Sequence, residues 1–147
     1  MRFAPPLVAL VSLATAAFGA CGEDPPKFSA PMVLGGQEVS AEVLNAGHRS
    51  FEMRCASCHG RDGSGKGPAS TGLAQPPRDF RQANFRYTST GEGGLPTDGD
   101  LDITIRNGKL ANGMPAFTGL NDEDRHAIIQ YLKTFSPRWA EVAPETS

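Results

Sequence analysis

One short motif constrains this chain of 147 residues more than any other feature: Cys55, Cys58 and His59 form a Cys-x-x-Cys-His sequence. In a helix the two thiols lie about one turn apart, so each can add to one vinyl group of a haem. The adjacent imidazole then lies under the macrocycle with a nitrogen towards the iron. The motif therefore predicts one covalently attached haem c, with His59 as an iron ligand.

Two other uses of paired cysteines compete with this interpretation. A thiol-redox pair would follow a thioredoxin-like strand, and no such strand pattern precedes Cys55. A structural zinc site would need a second ligand pair, and the sequence contains no other pair of Cys or His residues. Haem attachment is therefore the favoured interpretation.

The third cysteine, Cys21, ends a different pattern. Arg2 precedes an apolar run over residues 7–18, and two small residues follow that run. This pattern resembles a bacterial lipoprotein signal, which implies removal of residues 1–20 and lipidation of Cys21. The alternatives are ordinary cleavage nearby, which would leave a free thiol, and an uncleaved anchor, for which the segment is short.

The signal pattern also predicts where the protein works. It indicates a periplasmic or extracytoplasmic protein held to a membrane by lipid. The outer membrane is slightly favoured, because Gly22 stands where Asp often marks inner-membrane retention. The composition of residues 21–38 predicts a flexible Pro/Gly-rich tether. The folded domain is expected over residues 39–140, and residues 141–147 are expected to form a tail.

Three capping residues mark predicted helix starts in that domain: Ser40, Thr97 and Asn121. The helices are expected to continue to about residues 54, 107 and 135, the second with a capping-box-like start and a stop at Gly108. Apolar residues recur at helical spacing in the first and last helices. Those expected on the inner faces are Val43, Leu44, Gly47, Phe51, Met53, Ile128, Tyr131, Leu132 and Phe135.

The first and last helices also carry a more specific resemblance. Gly47 and Phe51 stand eight and four positions before Cys55, and Ile128 and Tyr131 form an aliphatic-x-x-aromatic pair near the end. The pattern resembles class I cytochromes c, in which the small residue lets these two helices cross closely. The resemblance covers about two-thirds of the chain. It implies an all-α fold of three to four helices with long loops around one covalently bound haem.

The same resemblance implies a Met ligand on a loop before the last helix, where Met114-Pro115 stands. Pro115 restricts Met114 to extended backbone, which suits a loop that delivers a side chain to iron. A thioether ligand raises the reduction potential and fills the last coordination position. Met53 is too close to the motif to reach the other haem face. His48 and His126 lie on polar helix faces, so surface histidine is the better interpretation of each.

Two further haem contacts are implied by the resemblance. The family holds its proximal His through a backbone carbonyl from a Pro in the following loop, and Pro68 is the nearest candidate. Haem propionates commonly take Arg partners, and Arg78 lies in the mid-loop, with solvated surface charge as the alternative. The other candidates are Pro76 and Pro77 for the carbonyl and Arg81 and Arg86 for the propionates.

Charge is nearly balanced overall, with a formal net charge of −2, but it is unevenly distributed. Residues 54–86 contain six Lys or Arg against two Asp, whereas residues 92–124 contain seven acidic residues against two basic ones. No strong basic excess suggests a nucleic-acid partner. We expect the basic part to surround the exposed haem edge and to steer an acidic redox partner, with a scattered solvated surface as the alternative.

These features together predict a one-electron carrier and no substrate chemistry, in an extracytoplasmic respiratory chain. Its partners would be redox proteins and, through the lipid, a membrane. A tethered haem subunit of a larger oxidoreductase complex is the nearest alternative. A haem enzyme or gas sensor is the other, and it would require a sixth iron position that Met114 leaves open.

Overall fold

The structure, a computed structural model, describes Met1 and residues 27–142. Within these residues four α-helices and one antiparallel pair of short strands are joined by long loops. The predicted all-α fold of three to four helices is confirmed. The elements are β1 (Met32–Leu34), β2 (Gln37–Val39), α1 (Ala41–Arg54), α2 (Ala56–His59), α3 (Asp98–Asn107) and α4 (Asp122–Lys133). Single 3-10 turns lie at Pro68–Ser70, Phe80–Gln82, Leu110–Asn112 and Pro137–Trp139.

The three predicted helix starts are confirmed at the expected residues. Ser40 accepts a hydrogen bond from the Val43 N–H, and Asn121 caps α4 in the same way. Thr97 caps α3 in a complete capping box. Helix α4 ends at Lys133, two residues earlier than expected, because the Thr134 N–H already bonds the carbonyl three residues back in a tighter turn.

The crossing of α1 and α4 forms the centre of the core. A Cβ atom at Gly47 would lie 2.0 Å from the carbonyl oxygen of Ala127, so the two backbones touch at this point. Beside the contact, the rings of Phe51 and Tyr131 pack edge to face with centroids 5.3 Å apart. Both residues are fully buried. Met53, expected on the inner face of α1, is instead 76% exposed, because it lies on the outer side of the last turn.

Within residues 27–38, the described part of the segment predicted as a flexible tether, the chain is folded. Strands β1 and β2 form a hairpin in which Leu34 is buried, and the Gly35 N–H bonds the carbonyl of Trp139 at 2.7 Å. Before the hairpin, the Asn45 side chain pairs with both backbone groups of Phe28. The correction has a simple cause: three-residue strands leave little periodicity to recognise, and tertiary contacts hold them.

The predicted signal segment and Cys21 fall almost entirely in residues 2–26, which lie outside the described residues. Lipidation therefore stays a prediction. Among the described residues, no helix combines the length and the apolar character needed to cross a membrane.

Candidate haem-binding site

A cavity of about 300 Å³ opens between the helices and the long loops. Its inner wall is apolar and is formed by all three longer helices. That wall includes Phe51 of α1, Leu101 and Ile105 of α3, and Ile128 and Leu132 of α4. These residues recur at helical spacing, so the faces that build the core also build the cavity. Its volume is at the lower end of the roughly 300–1,000 Å³ typical of small-molecule sites.

Helix α2 places the Cys-x-x-Cys-His motif on the wall of this cavity. The chain leaves α1 through a hydrogen bond from the Cys55 N–H to Phe51, and the His59 N–H then bonds the Cys55 carbonyl. Cys55 and Cys58 are both half-buried, and they are not bonded to each other. The spacing therefore directs both sulfurs and the imidazole into one space.

Burial raises the pKa of the Cys55 thiol to about 12, with the nearby Arg54 charge opposing the shift. The sulfur is thus held in its neutral form, whereas thiol-disulfide exchange and zinc binding both need thiolate. A thioether formed with a haem vinyl group is neutral as well. A neutral, partly buried sulfur at Cys55 is thus compatible with covalent haem attachment.

The imidazole of His59 is oriented by two contacts. Its Nδ1 lies 3.3 Å from the carbonyl oxygen of Arg78, and its ring stacks on Phe80 at 4.5 Å between centroids. A carbonyl only accepts, so Nδ1 carries the proton and Nε2 has a free lone pair. Burial lowers the pKa of His59, partly offset by this carbonyl. The ring is therefore neutral, as an iron ligand must be.

The carbonyl at His59 is not that of Pro68, as we expected, but that of Arg78, directly after Pro77. Pro68 lies off the cavity wall, in a 3-10 turn tied to α2 by a Gly67 N–H bond to the Cys58 carbonyl. A Cβ atom at Gly65 would lie 2.3 Å from the Pro77 carbonyl oxygen. This close approach brings the later part of the loop, and not Pro68, against the histidine.

Met114 lines the same cavity from the loop between α3 and α4. Lys109 and Met114 exchange two backbone hydrogen bonds of 2.9 and 3.2 Å, which fix the residues between them as a tight turn. The rival ligands lie elsewhere: His48 packs beside Tyr131 on the outer side of α1, and His126 is exposed on α4. Of the candidates for a sixth ligand, only Met114 is on the cavity wall.

Four cations, here called the cation rim, also line the cavity: Arg54, Arg78, Arg86 and Lys109. None of the described residues on its wall is Asp or Glu. Burial lowers the pKa of the Arg78 guanidinium, and the neighbouring Arg86 charge adds to this, but an arginine stays ionised throughout. Arg81, the other propionate candidate, lies off the wall and pairs with Asp79. The rim suits a ligand that bears carboxylates.

Sequence reasoning missed four aromatic residues that line the cavity: Phe80, Phe85, Tyr87 and Phe117. Phe80 supports the imidazole from behind, and Tyr87 forms part of the outer wall. Phe80 and Tyr87 lie in the loop in which the sequence predicted only Pro and Arg residues as haem contacts. The signal that could have identified the first is the aromatic pair Phe80 and Phe85 in an otherwise polar segment.

Comparison with known proteins agrees with this geometry. The family model for cytochrome c matches residues 44–136. Subunit 2 of cytochrome c oxidase from Alkalihalophilus pseudofirmus is 30% identical over 104 residues, which are 67% of this chain and 27% of that protein. A chain of the Kuenenia stuttgartiensis reducing HAO-like protein complex superposes with a TM-score of 0.64 at 33% identity, covering 69% of this chain and 46% of the other. Cytochrome c6 of the diatom Phaeodactylum tricornutum has a TM-score of 0.43 at 27% identity, over 62% of this chain and 91% of its own.

An all-α domain with the haem-attachment motif on the wall of an apolar cavity defines the class I c-type cytochromes. The chain belongs to the cytochrome c family. Its cofactor is covalently bound haem c, and its family is one of electron carriers rather than enzymes. The chain spans about a quarter of the oxidase subunit and less than half of the complex chain that it resembles.

Proposed function

We propose that this protein is a one-electron carrier with a single haem c whose iron is bound by His59 and Met114. The observation that carries the proposal is the position of both side chains on the wall of one apolar cavity, together with the two motif cysteines. Cys55 and Cys58 would bind the haem vinyl groups through thioethers. If His59 and Met114 both bound the iron, no coordination position would be left for a substrate or for oxygen.

A bound haem supplies the redox chemistry, because its iron can take up and release one electron. The residues of the chain hold this group and set its surroundings. The Arg78 carbonyl orients His59 and keeps its Nδ1 proton in place. The apolar wall around Phe51 and Ile128 would exclude water from the haem, and Arg78, which lies on the rim, would pair with a propionate.

The decisive experiment is an optical spectrum of the dithionite-reduced holoprotein before and after addition of carbon monoxide. A low-spin c-type spectrum that carbon monoxide leaves unchanged is expected. Met114→Leu should bind carbon monoxide rapidly, whereas Met53→Leu, which alters an exposed methionine, should behave like the wild type. Rapid binding by the wild type would contradict Met114 ligation and would favour a haem enzyme or gas sensor.

The cation rim supports an acidic redox partner. Opposite charges speed the encounter of electron-transfer proteins, and salt screens this attraction over about 8–10 Å. Transfer rates to the natural partner should therefore fall as ionic strength rises. Arg86→Gln, on the rim, should weaken this salt dependence more than Arg49→Gln, an exposed arginine on α1 away from the cavity. Equal behaviour of the two variants would contradict the proposed docking site.

We also propose that the protein is lipid-anchored through Cys21 outside the cytoplasmic membrane. Cys21 stands six residues before Lys27, whose ammonium donates a hydrogen bond to the Tyr131 hydroxyl in the domain. Six residues of extended chain span at most roughly 22 Å, so the domain would remain close to the bilayer surface. Cys21→Ser should release the holoprotein into the soluble fraction, and retention of that variant in membranes would contradict lipid anchoring at this residue.

A subunit of a larger oxidoreductase is the second candidate. It is favoured by one observation, namely that the chain resembles parts of an oxidase subunit and of a protein complex. Gentle detergent extraction followed by size determination separates the two roles. A free carrier should migrate at the mass of one chain, and a stoichiometric partner enzyme would identify a subunit.

A further inference from the structure

The two segments that flank the family domain meet on one side of the molecule. The hairpin of β1 and β2 precedes residue 44, and the turn Pro137–Trp139 follows residue 136, the limits of the family match. They are joined by the hydrogen bond from Gly35 to the Trp139 carbonyl. The Trp139 side chain is only 3% exposed, and its ring packs edge to face on Phe85 at 6.3 Å.

Arg138, in the same turn, binds two distant carbonyls with one guanidinium. One terminal nitrogen donates to the Ala83 carbonyl at 2.7 Å, and the other donates to the Gly93 carbonyl at 2.8 Å. A single side chain thus ties together the two ends of the loop formed by residues 83–93. The planar fork of arginine suits this double contact, and the single ammonium of lysine does not.

This loop provides part of the cavity wall, through Phe85, Arg86 and Tyr87. Its tip is exposed, and Gly91 and Gly93 have positive φ angles with open space around them. Ser89 fixes the middle of the loop to α3 through two hydrogen bonds to Asp100. The exposed tip therefore does little to hold the loop in place, and Arg138 restrains the loop at its two ends.

Tyr87 connects the loop to the residues around Met114. Its hydroxyl accepts a hydrogen bond from the Asn112 side chain at 3.2 Å, and the Lys109 ammonium lies 4.1 Å from its ring centroid. Lys109 in turn exchanges two backbone hydrogen bonds with Met114. A continuous series of contacts therefore runs from Arg138, through residues 83–93, to the turn that carries the predicted sixth ligand.

We propose that Arg138 is a positioning residue for Met114. By holding residues 83–93 against the cavity, it keeps Tyr87 on the turn of residues 109–114 and slows the departure of Met114 from the iron. This inference rests on the proposed function, since it presupposes His59/Met114 ligation. In this proposal, a residue outside the family domain controls how firmly Met114 occupies the sixth coordination position of the iron.

The test is the rate of carbon monoxide binding to the reduced holoprotein, which is limited by the departure of Met114. Arg138→Gln should raise this rate about tenfold, the factor expected from the net loss of one to two hydrogen bonds. Arg138→Lys should give an intermediate rate, and Tyr87→Phe, which loses only the Asn112 bond, a smaller increase. The matched control is Arg81→Gln, which removes the same charge from an arginine bonded to Asp79 and Asp62 and should stay within twofold of the wild type.

A second readout separates positioning from general stability. The long-wavelength absorption band of ferric Met-ligated haem should weaken at lower denaturant concentrations in Arg138→Gln, before the fluorescence of Trp139, the one tryptophan of the chain, reports unfolding. If both signals shift together and the carbon monoxide rate equals that of Arg81→Gln, the positioning role is wrong. If Arg138→Gln fails to retain haem, wild-type rates in Arg138→Lys and Tyr87→Phe overturn it. A wild type as fast as Met114→Leu would instead contradict the proposed ligation itself.

Discussion

Two glycines show how differently the two sides of this domain are built. Gly47 lies in α1, where an added Cβ would meet the Ala127 carbonyl oxygen at 2.0 Å. Gly108 ends α3 with φ +65°, and an added Cβ would meet the Pro115 backbone at 2.5 Å. The first contact lies between two long helices inside the core. The second lies within a loop whose residues from 109 to 116 are mostly exposed or half-buried.

The difference shows which part of the fold is stabilised by its own packing and which part depends on the bound haem. The α1/α4 crossing is stabilised by buried aromatic and aliphatic side chains, so its geometry depends on close packing. The loop that carries Met114 is held by a few hydrogen bonds and, in our proposal, by the bond from Met114 to iron. An added methyl group should therefore destabilise the whole fold at Gly47, whereas at Gly108 it should mainly weaken the bond between Met114 and the iron.

The largest effect is expected for Gly47→Ala. The clash with backbone atoms cannot be relieved by a side-chain rotation, and overpacking of this kind should cost about 3 kcal/mol or more. Alanine is otherwise favoured over glycine in a helix by about 1 kcal/mol. The measurement is denaturant unfolding of the holoprotein. Gly99→Ala in α3, where the nearest atom would be 3.7 Å away, is the matched control and should be neutral or stabilising.

The next largest loss of stability is expected for Arg125→Ala, which tests whether buried side chains hold the helical side of the domain. Its side chain is 4% exposed and bonds Asp102, Asp122 and the Leu120 carbonyl. Asp122 is itself 93% exposed, so the loss of stability should come mainly from the Asp102 pair and from the carbonyl left without a donor. Arg106 binds the same two carboxylates but is 51% exposed, and Arg106→Ala should cost less than about 1 kcal/mol. Equal losses in thermal or denaturant unfolding would contradict this distinction.

Gly108→Ala is expected to cost about 2 kcal/mol, since alanine at positive φ is strained and the backbone of Pro115 must move. Its main effect should be on the neighbouring Met114. We expect faster carbon monoxide binding than in Gly47→Ala, despite a smaller loss of unfolding free energy. The comparison between the two sides fails if Gly108→Ala lowers the free energy of unfolding but binds carbon monoxide as slowly as the wild type.

The smallest effect is expected at the start of α3, where Asp100 completes the capping box. Asp100→Ala should cost about 1 kcal/mol. Hydrogen bonds from the backbone N–H groups of Ser89 and Thr97 lower the pKa of Asp100 to about 2. Its contribution is therefore present above the ordinary pKa of Asp and is lost as the pH falls through about 2. The difference in unfolding free energy between wild type and variant should shrink accordingly, whereas Glu123→Ala, an exposed first-turn acid of α4, should show little difference at any pH.

The elements that the sequence predicted correctly are those specified by local contacts. Ser40, Thr97 and Asn121 each accept a hydrogen bond from a residue three positions further on, so their role is legible from adjacent sequence. Gly47 was identified through the family resemblance, and the close crossing with α4 follows from its lack of a side chain.

The parts that could not be predicted depend on residues far apart in the chain. Phe28 and the hairpin are held by Asn45 and Trp139, so a Pro/Gly-rich composition suggested a tether where a folded segment exists. The carbonyl at His59 comes from Arg78 and not Pro68, because the approach of Gly65 to Pro77 decides which part of the loop arrives there. The role of Arg138 could not be predicted from the sequence, because its two hydrogen-bond partners stand 45 and 55 positions away.

Residue 78 performs two tasks with two separate parts of itself. Its backbone oxygen orients His59, while its side chain contributes one charge to the rim of the cavity. A substitution there removes the charge, and with it the propionate contact that we propose for the side chain, but it keeps the carbonyl, because every amino acid has one. The hydrogen bond that orients the iron ligand is therefore independent of which side chain stands at this position. A change of residue 78 can weaken the hold on the cofactor at the cavity rim without disturbing the histidine behind it.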